Sequence, residues 1–151
     1  GRWKAEVERE VRESGAAALV VRASLMYGTD HLSPQQHDVE AVLSGRSTLR
    51  FFTDEYRCPA HAADIAAALV RLADLATVTG TLHVAGPRAV SRATLAQAFA
   101  EYLGGSGAGA RIPTGSLADS GLDRPGHLVL DTARAASLGI ACRDLTAALV
   151  R

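Results

Sequence analysis

Two short runs constrain this chain most. Ala16-Ala17-Ala18-Leu19-Val20-Val21-Arg22 follows Gly15, and Thr81-Leu82-His83-Val84-Ala85 lies between Gly80 and Gly86-Pro87. The first is continuously apolar and too short for a buried helix, which predicts a strand covered on both faces, as in a parallel sheet. The second is bounded by turn residues and predicts another strand. Stretches of helical period separate them, so the chain is expected to adopt an α/β layer arrangement with few strands and several helices. Two convincing strands are too few for a complete doubly wound sheet. Either the fold is a small α/β piece, or most of its sheet belongs to sequence outside these residues.

The helices are legible from their periods and caps. Trp3, Val7 and Val11 form an apolar stripe among Lys4, Glu6, Glu8, Arg9, Glu10, Arg12 and Glu13, and Ser14-Gly15 ends that helix. No N-cap precedes Arg2, so the natural chain is expected to begin further upstream. Ser24 to Ser33 reads as a loop. Ser33-Pro34 then predicts an N-cap and a first-turn proline, opening a helix over Pro34 to Leu43. Leu49 to Phe52 is a short strand. A helix over Ala62 to Leu75 carries Ile65, Leu69, Leu72 and Leu75 as its stripe. Ser91 caps a helix from Arg92 to Leu103, with Leu95, Phe99, Tyr102 and Leu103 facing inward. Gly104 to Ala110 reads as a flexible connector. Helices around Asp131 to Ser137 and from Arg143 complete the chain.

Composition excludes several classes. The 151 residues suffice for one compact domain, and 16 Lys+Arg balance 16 Asp+Glu. A neutral chain without a basic block has no electrostatic footprint for nucleic acid. No apolar run reaches the roughly 18 residues of a membrane span. Cys58 and Cys142 are far apart and form no zinc-type cluster, and the five histidines are scattered. No metal is expected, and reduced thiols point to a cytoplasmic protein. Gly105-Ser106-Gly107-Ala108-Gly109-Ala110 formally fits a dinucleotide fingerprint, but it follows a helix and precedes Arg111-Ile112-Pro113. Without a preceding strand and a following helix the spacing reads as a linker.

A larger pattern lies in the order of several segments. Gly1-Arg2-Trp3-Lys4-Ala5-Glu6, an amphipathic helix, and then Val20-Val21-Arg22-Ala23-Ser24-Leu25-Met26-Tyr27-Gly28 resemble the extended short-chain dehydrogenases. Phe51-Phe52-Thr53-Asp54-Glu55-Tyr56-Arg57-Cys58-Pro59-Ala60 followed by Asp64-Ile65-Ala66 resembles the substrate side of the dTDP-4-dehydrorhamnose reductases, with Ala60 in place of a usual threonine. Gly80 to Gly86, Ser91 to Leu95, Arg124-Pro125, Leu130-Asp131-Thr132 and Leu138-Gly139 continue the resemblance over nearly the whole chain.

The resemblance implies the carboxyl-terminal part of a Rossmann-like extended short-chain dehydrogenase. Residues 1–33 would be the last, incomplete part of the dinucleotide-binding domain, and residues 34–151 the substrate-binding part. It implies an NAD(P)-dependent reductase of a 4-keto nucleotide-sugar, with NADP or NAD as cofactor. Lys4 takes the place of the family's catalytic and cofactor-binding lysine, while the partner tyrosine would fall just before Gly1. Such a lysine, one helical turn from the tyrosine, favours the phenolate of a group whose free pKa is near 10. Ser24 is expected at the nicotinamide end, and Met26 and Tyr27 as walls of the substrate pocket. Asp54, Glu55 and Arg57 would frame the sugar-nucleotide, with Arg57 and Arg124 toward phosphate.

Each residue also has a plainer role: Lys4 a solvated helix lysine, Ser24 a loop cap, Met26 and Tyr27 core, and the charged residues structural ion pairs. His61 is expected to order a helix start. With its dinucleotide segment outside these residues, the chain alone is expected neither to bind NADPH tightly nor to turn over substrate. It would also associate, as a homodimer or otherwise, through exposed apolar surface. Two further readings stay open: an epimerase or dehydratase of the same superfamily, and a non-catalytic binding or regulatory module.

Overall fold

The computed structural model describes residues 2–150; residues 1 and 151, the outer limits of the two expected parts, lie outside them. Among the described residues the chain is mixed α/β, with six α-helices and several small, mostly parallel sheets. Helix α1 (Arg2–Glu13) leads into β1 (Leu19–Ala23). Strand β1 pairs in parallel with the distant β6 (Gly80–Val84), from Leu19 opposite Gly80 to Ala23 opposite Val84. These are the two longer strands expected from the sequence; the short one expected over Leu49 to Phe52 narrows to Phe51–Phe52.

The remaining strands are two residues long. Within the expected Ser24 to Ser33 loop lies β2 (Met26–Tyr27), which pairs in parallel with β5 (Ala60–His61). A strand this short carries no period, so it left no pattern to read. After α2 (Pro34–Leu43) come β3 (Phe51–Phe52) and β4 (Tyr56–Arg57). Helices α3 (Ala62–Ala73) and α4 (Arg92–Gly104) flank β6 and β7 (Val90–Ser91). The tail holds β8 (Thr114–Gly115), β9 (His127–Leu128), α5 (Ala133–Ser137) and α6 (Leu145–Ala148). Strand β8 pairs with β3, and β4 lies between β7 and β9.

Two apolar clusters hold the elements. One joins Tyr27, Val39, Phe51 and Ile112 to the α4 face of Leu95, Ala96 and Phe99. The other sets Ile65, Ala68 and Leu72 of α3 against Leu82, Val84 and Ile140. The α3 stripe thus differs from expectation. Leu69 is exposed and Ala68 is buried in its place. On α4, Tyr102 and Leu103 are only partly covered, while Ala93 and Ala100 are buried.

The glycine-rich stretch is not a free connector. Residues Ala108–Arg111 form a 3-10 turn, with Gly105 and Gly107 at positive φ. The Glu101 carboxylate accepts from the amides of Gly107 and Gly109, both at 2.8 Å. A Cβ on Gly109 would sit 2.7 Å from that carboxylate and 3.2 Å from the Gln97 carbonyl oxygen, so a side chain there would displace the Glu101 contact. The backbone donors that a pyrophosphate would use are therefore taken by the chain's own carboxylate.

Candidate functional site

An open cleft of about 510 Å³ lies where β1 ends. It is lined by Ala23, Ser24, Leu25, Met26, Pro34, Gln35, Arg57, Leu128 and Leu130. The carboxyl end of a parallel strand is where open α/β folds place ligands, because the chain leaves the sheet there and opens a crevice. Ser24 begins the loop, and its Oγ accepts from the Cys58 amide at 3.3 Å. Met26 is half exposed and turns toward the cleft.

Tyr27 is brought elsewhere. Neighbouring strand residues point to opposite faces, so with Met26 outward Tyr27 enters the core at 2% exposure. It packs edge-on against His61 and tilted against Phe99. Among the described residues its hydroxyl has no hydrogen-bond partner, and burial pushes its pKa up to about 12. The structure therefore makes Tyr27 a core residue in place of the expected pocket wall.

Gln36 holds the loop, a role that sequence reading missed. Fully buried, it donates to the Gly28 carbonyl at 2.7 Å and accepts from the amides of Gly28 and Ser33 at 3.2 and 2.9 Å. Together with Ser33 it also forms a capping box on α2. The Ser-Pro-Gln-Gln spelling of Ser33 to Gln36 carried that signal. Gly28 has no room for a side chain, since a Cβ would lie 2.6 Å from the His31 carbonyl oxygen. His61 caps α3, accepting from the Ala63 amide at 3.2 Å, and its Nε2 lies 3.4 Å from Thr29 Oγ1.

The charged residues separate into two groups. Asp54 is engaged away from the cleft, where it accepts from Ser116 Oγ at 2.8 Å and from the amides of Leu117 and Ala118 at 2.6 and 3.2 Å. The Leu117 amide, then the Ser116 hydroxyl, hold its pKa at about 2. Asp54 therefore ties the 116–118 turn and does not frame the cleft.

Glu55 lies at the centre of the second group, 4% exposed. One of its oxygens accepts from Arg57 Nη2 at 2.8 Å and the other from Arg124 Nη2 at 2.6 Å. Arg57 also donates to the carbonyls of Tyr56, Gly126 and Pro125 at 2.6, 3.2 and 3.2 Å. Four of its five N–H groups are thus used within the protein. Arg124 keeps more donors available and stands over the Phe52 ring at 5.2 Å. The fold brings Ser24, Met26 and Arg57 to one cleft and links Glu55 and Arg124 to it through Arg57. Lys4 is exposed on α1, which buries none of its residues.

Both cysteines are buried and free. No group of three His, Cys, Asp or Glu side chains that could hold a metal occurs among the described residues. No described helix is long and apolar enough to cross a membrane.

Comparisons with known proteins give the family and the fold. A probable low-salt glycan biosynthesis reductase, Agl14 of Haloferax volcanii, is 34% identical over 129 residues, covering 83% of this chain and 41% of the relative. The NADP complex of a dTDP-4-dehydrorhamnose reductase from Bacillus anthracis superposes with a TM-score of 0.76 at 18% identity, over 94% of this chain and 49% of that one. Bordetella bronchiseptica WbmG, in complex with NAD and UDP, gives 0.72 at 18% identity, over 94% of this chain and 45% of that one. Those two likenesses describe the fold. The chain spans about half, or less, of the length of these relatives. The model of the family described as the RmlD substrate binding domain matches residues 1–151, and with the Rossmann-like neighbours and the cleft at the end of β1 it shows that this chain belongs to that family.

Proposed function

We propose that this chain forms the substrate side of an NAD(P)-dependent reductase acting on a 4-keto nucleotide-sugar. One observation carries the reading: an apolar cleft at the carboxyl end of a parallel strand, with guanidinium groups gathered at its side around the buried Glu55. Leu25, Met26, Leu128 and Leu130 offer the weakly polar faces of a sugar an apolar wall. The arginines offer its diphosphate charge, with Arg124 as the freer donor. The 34% identical relative is a reductase by name, which favours net reduction over epimerisation.

Bound NADP or NAD would supply hydride for the carbonyl carbon. Lys4 and Ser24 are the residues here that the family pattern turns toward its nicotinamide end. The described glycine-rich turn does not fit the dinucleotide phosphates, because Glu101 occupies its amides. The division into residues 1–33 and 34–151 belongs to the same reading. The chain's own contribution is to bind and orient the nucleotide-sugar.

Met26 provides a direct test, since it is the single methionine of the sequence and lies in the cleft. With a labelled methionine methyl, thymidine diphosphate or uridine diphosphate, or their rhamnose or glucose conjugates, are expected to shift the Met26 signal at millimolar concentration. NADPH alone is expected to bind no tighter than millimolar. A folded chain whose Met26 signal ignores all of these nucleotides overturns the reading.

A further inference from the structure

Arg92 is the first residue of α4, directly after the Ser91 cap. Its amide donates to the Glu55 carbonyl at 2.7 Å, which sets it beside the cluster. The guanidinium has no hydrogen-bond or ion-pair partner among the described residues. Charges of Glu55, Arg57, Arg124 and Asp38 all reach it. Asp38 is exposed on α2, one turn after the cleft residues Pro34 and Gln35, and Arg57 is itself a cleft residue. The antiparallel pairing of Tyr56 with Ser91 and of Arg57 with Val90 continues to Glu55 opposite Arg92, which sets Arg92 beside the Glu55–Arg57–Arg124 cluster that adjoins the cleft through Arg57.

Three features of this position are unfavourable without an anion. A cation in the first helical turn opposes the positive end of the helix dipole. It is partly buried, and that burial lowers its pKa. Both Glu55 oxygens are already taken by Arg57 and Arg124, so the natural counter-charge is used up. Three guanidinium groups share two carboxylates here, and a bound anion relieves all three costs together.

We propose that Arg92 is a phosphate-binding residue of this cleft, meeting the diphosphate of the nucleotide-sugar together with Arg124, while Arg57 is a positioning residue that holds Glu55 and the 124–126 loop. The proposal rests on the nucleotide-sugar reading. It shifts the phosphate contact from Arg57, whose donors are engaged, to the one guanidinium of the cluster with none engaged.

The test uses the full chain, Arg92→Gln and Arg92→Lys. Each is titrated with thymidine diphosphate, uridine diphosphate, thymidine and inorganic pyrophosphate, while the Met26 methyl and the arginine Nε–H signals are followed. Diphosphates and pyrophosphate are expected to move the Arg92 Nε–H signal. Arg92→Gln should weaken both by about tenfold or more, as for loss of one charge-assisted contact. Thymidine should be unaffected, and Arg92→Lys should recover part of the loss. If Arg92→Gln binds diphosphates within about twofold of the parent, Arg92 is not a phosphate residue and the cleft reading stands. If nucleotides leave Met26 unmoved but pyrophosphate binding depends on Arg92, the nucleotide reading fails and the anion site survives. If pyrophosphate and nucleotides all fail to bind, both are overturned. Should Arg92→Gln not fold, the Arg92 signal of the parent chain decides, and its indifference to diphosphate overturns the proposal.

Discussion

Helices α1 and α4 have nearly equal lengths, 12 and 13 residues, and both carry apolar residues at helical spacing. Their fates differ. Helix α4 buries Ala93, Leu95, Ala96, Phe99 and Ala100 against α2, β3 and the 3-10 turn. Helix α1 buries none, and Trp3 is 87% exposed. Its firmest link is the pair between Arg22 on β1 and Glu8, at 2.9 and 2.5 Å. An apolar stripe states that a helix can use a partner; it does not say whether one is within reach. The stability of this chain therefore resides in the clusters around α4 and α3, not around α1.

The largest expected effect lies in α4. Phe99→Ala should cost about 4 kcal/mol, because the ring is 1% exposed and its loss leaves a cavity. Denaturant unfolding measures this, and a cost below 1 kcal/mol would break the contrast. Glu55→Ala comes next. Arg57, whose side chain is 13% exposed, would lose its counter-charge, at about 3 kcal/mol. The same variant frees Arg124 and leaves the guanidinium groups without their counter-charge, so the folded chain should bind nucleoside diphosphate more tightly while losing stability.

Tyr27→Phe should move the other way. Removing a buried hydroxyl that has no partner among the described residues should stabilise the fold by about 1 kcal/mol. It should leave ligand binding unchanged, and a lost Met26 response would return Tyr27 to the cleft.

Acid gives a smaller, local effect. The Asp54 pKa of about 2 lies below the ordinary carboxylate value near 4. Its contribution is thus complete above about pH 4 and is lost as pH falls toward 2. Protection of the Leu117 and Ala118 amides, relative to their intrinsic exchange, should fall through that window. Asp54→Asn should abolish the pH dependence there. Trp3→Ala should have the smallest effect, within about 0.5 kcal/mol in dilute solution. A larger loss at rising protein concentration would show that α1 meets a second copy.

The sequence by itself determined the α/β class, the two long strands, the principal helices and their caps. Ser33, His61 and Ser91 all lie at helix starts, because capping depends on residues within one turn of each other. The order of short segments also carried the family. Only the tertiary structure decided the chemistry of the charged residues. Asp54 and Glu55 are adjacent, yet one ties a turn 62 to 64 residues away and the other joins Arg57 to Arg124, 69 residues beyond it. Nothing in the local pattern separates them. Met26 and Tyr27 diverge for a related reason: alternation in a two-residue strand puts them on opposite faces, but the packing of β5 and α4 selects which face is core. Arg92 looked like an ordinary first-turn residue. Its isolation became visible only when the fold set it opposite Glu55 and gave both oxygens of that carboxylate to other arginines.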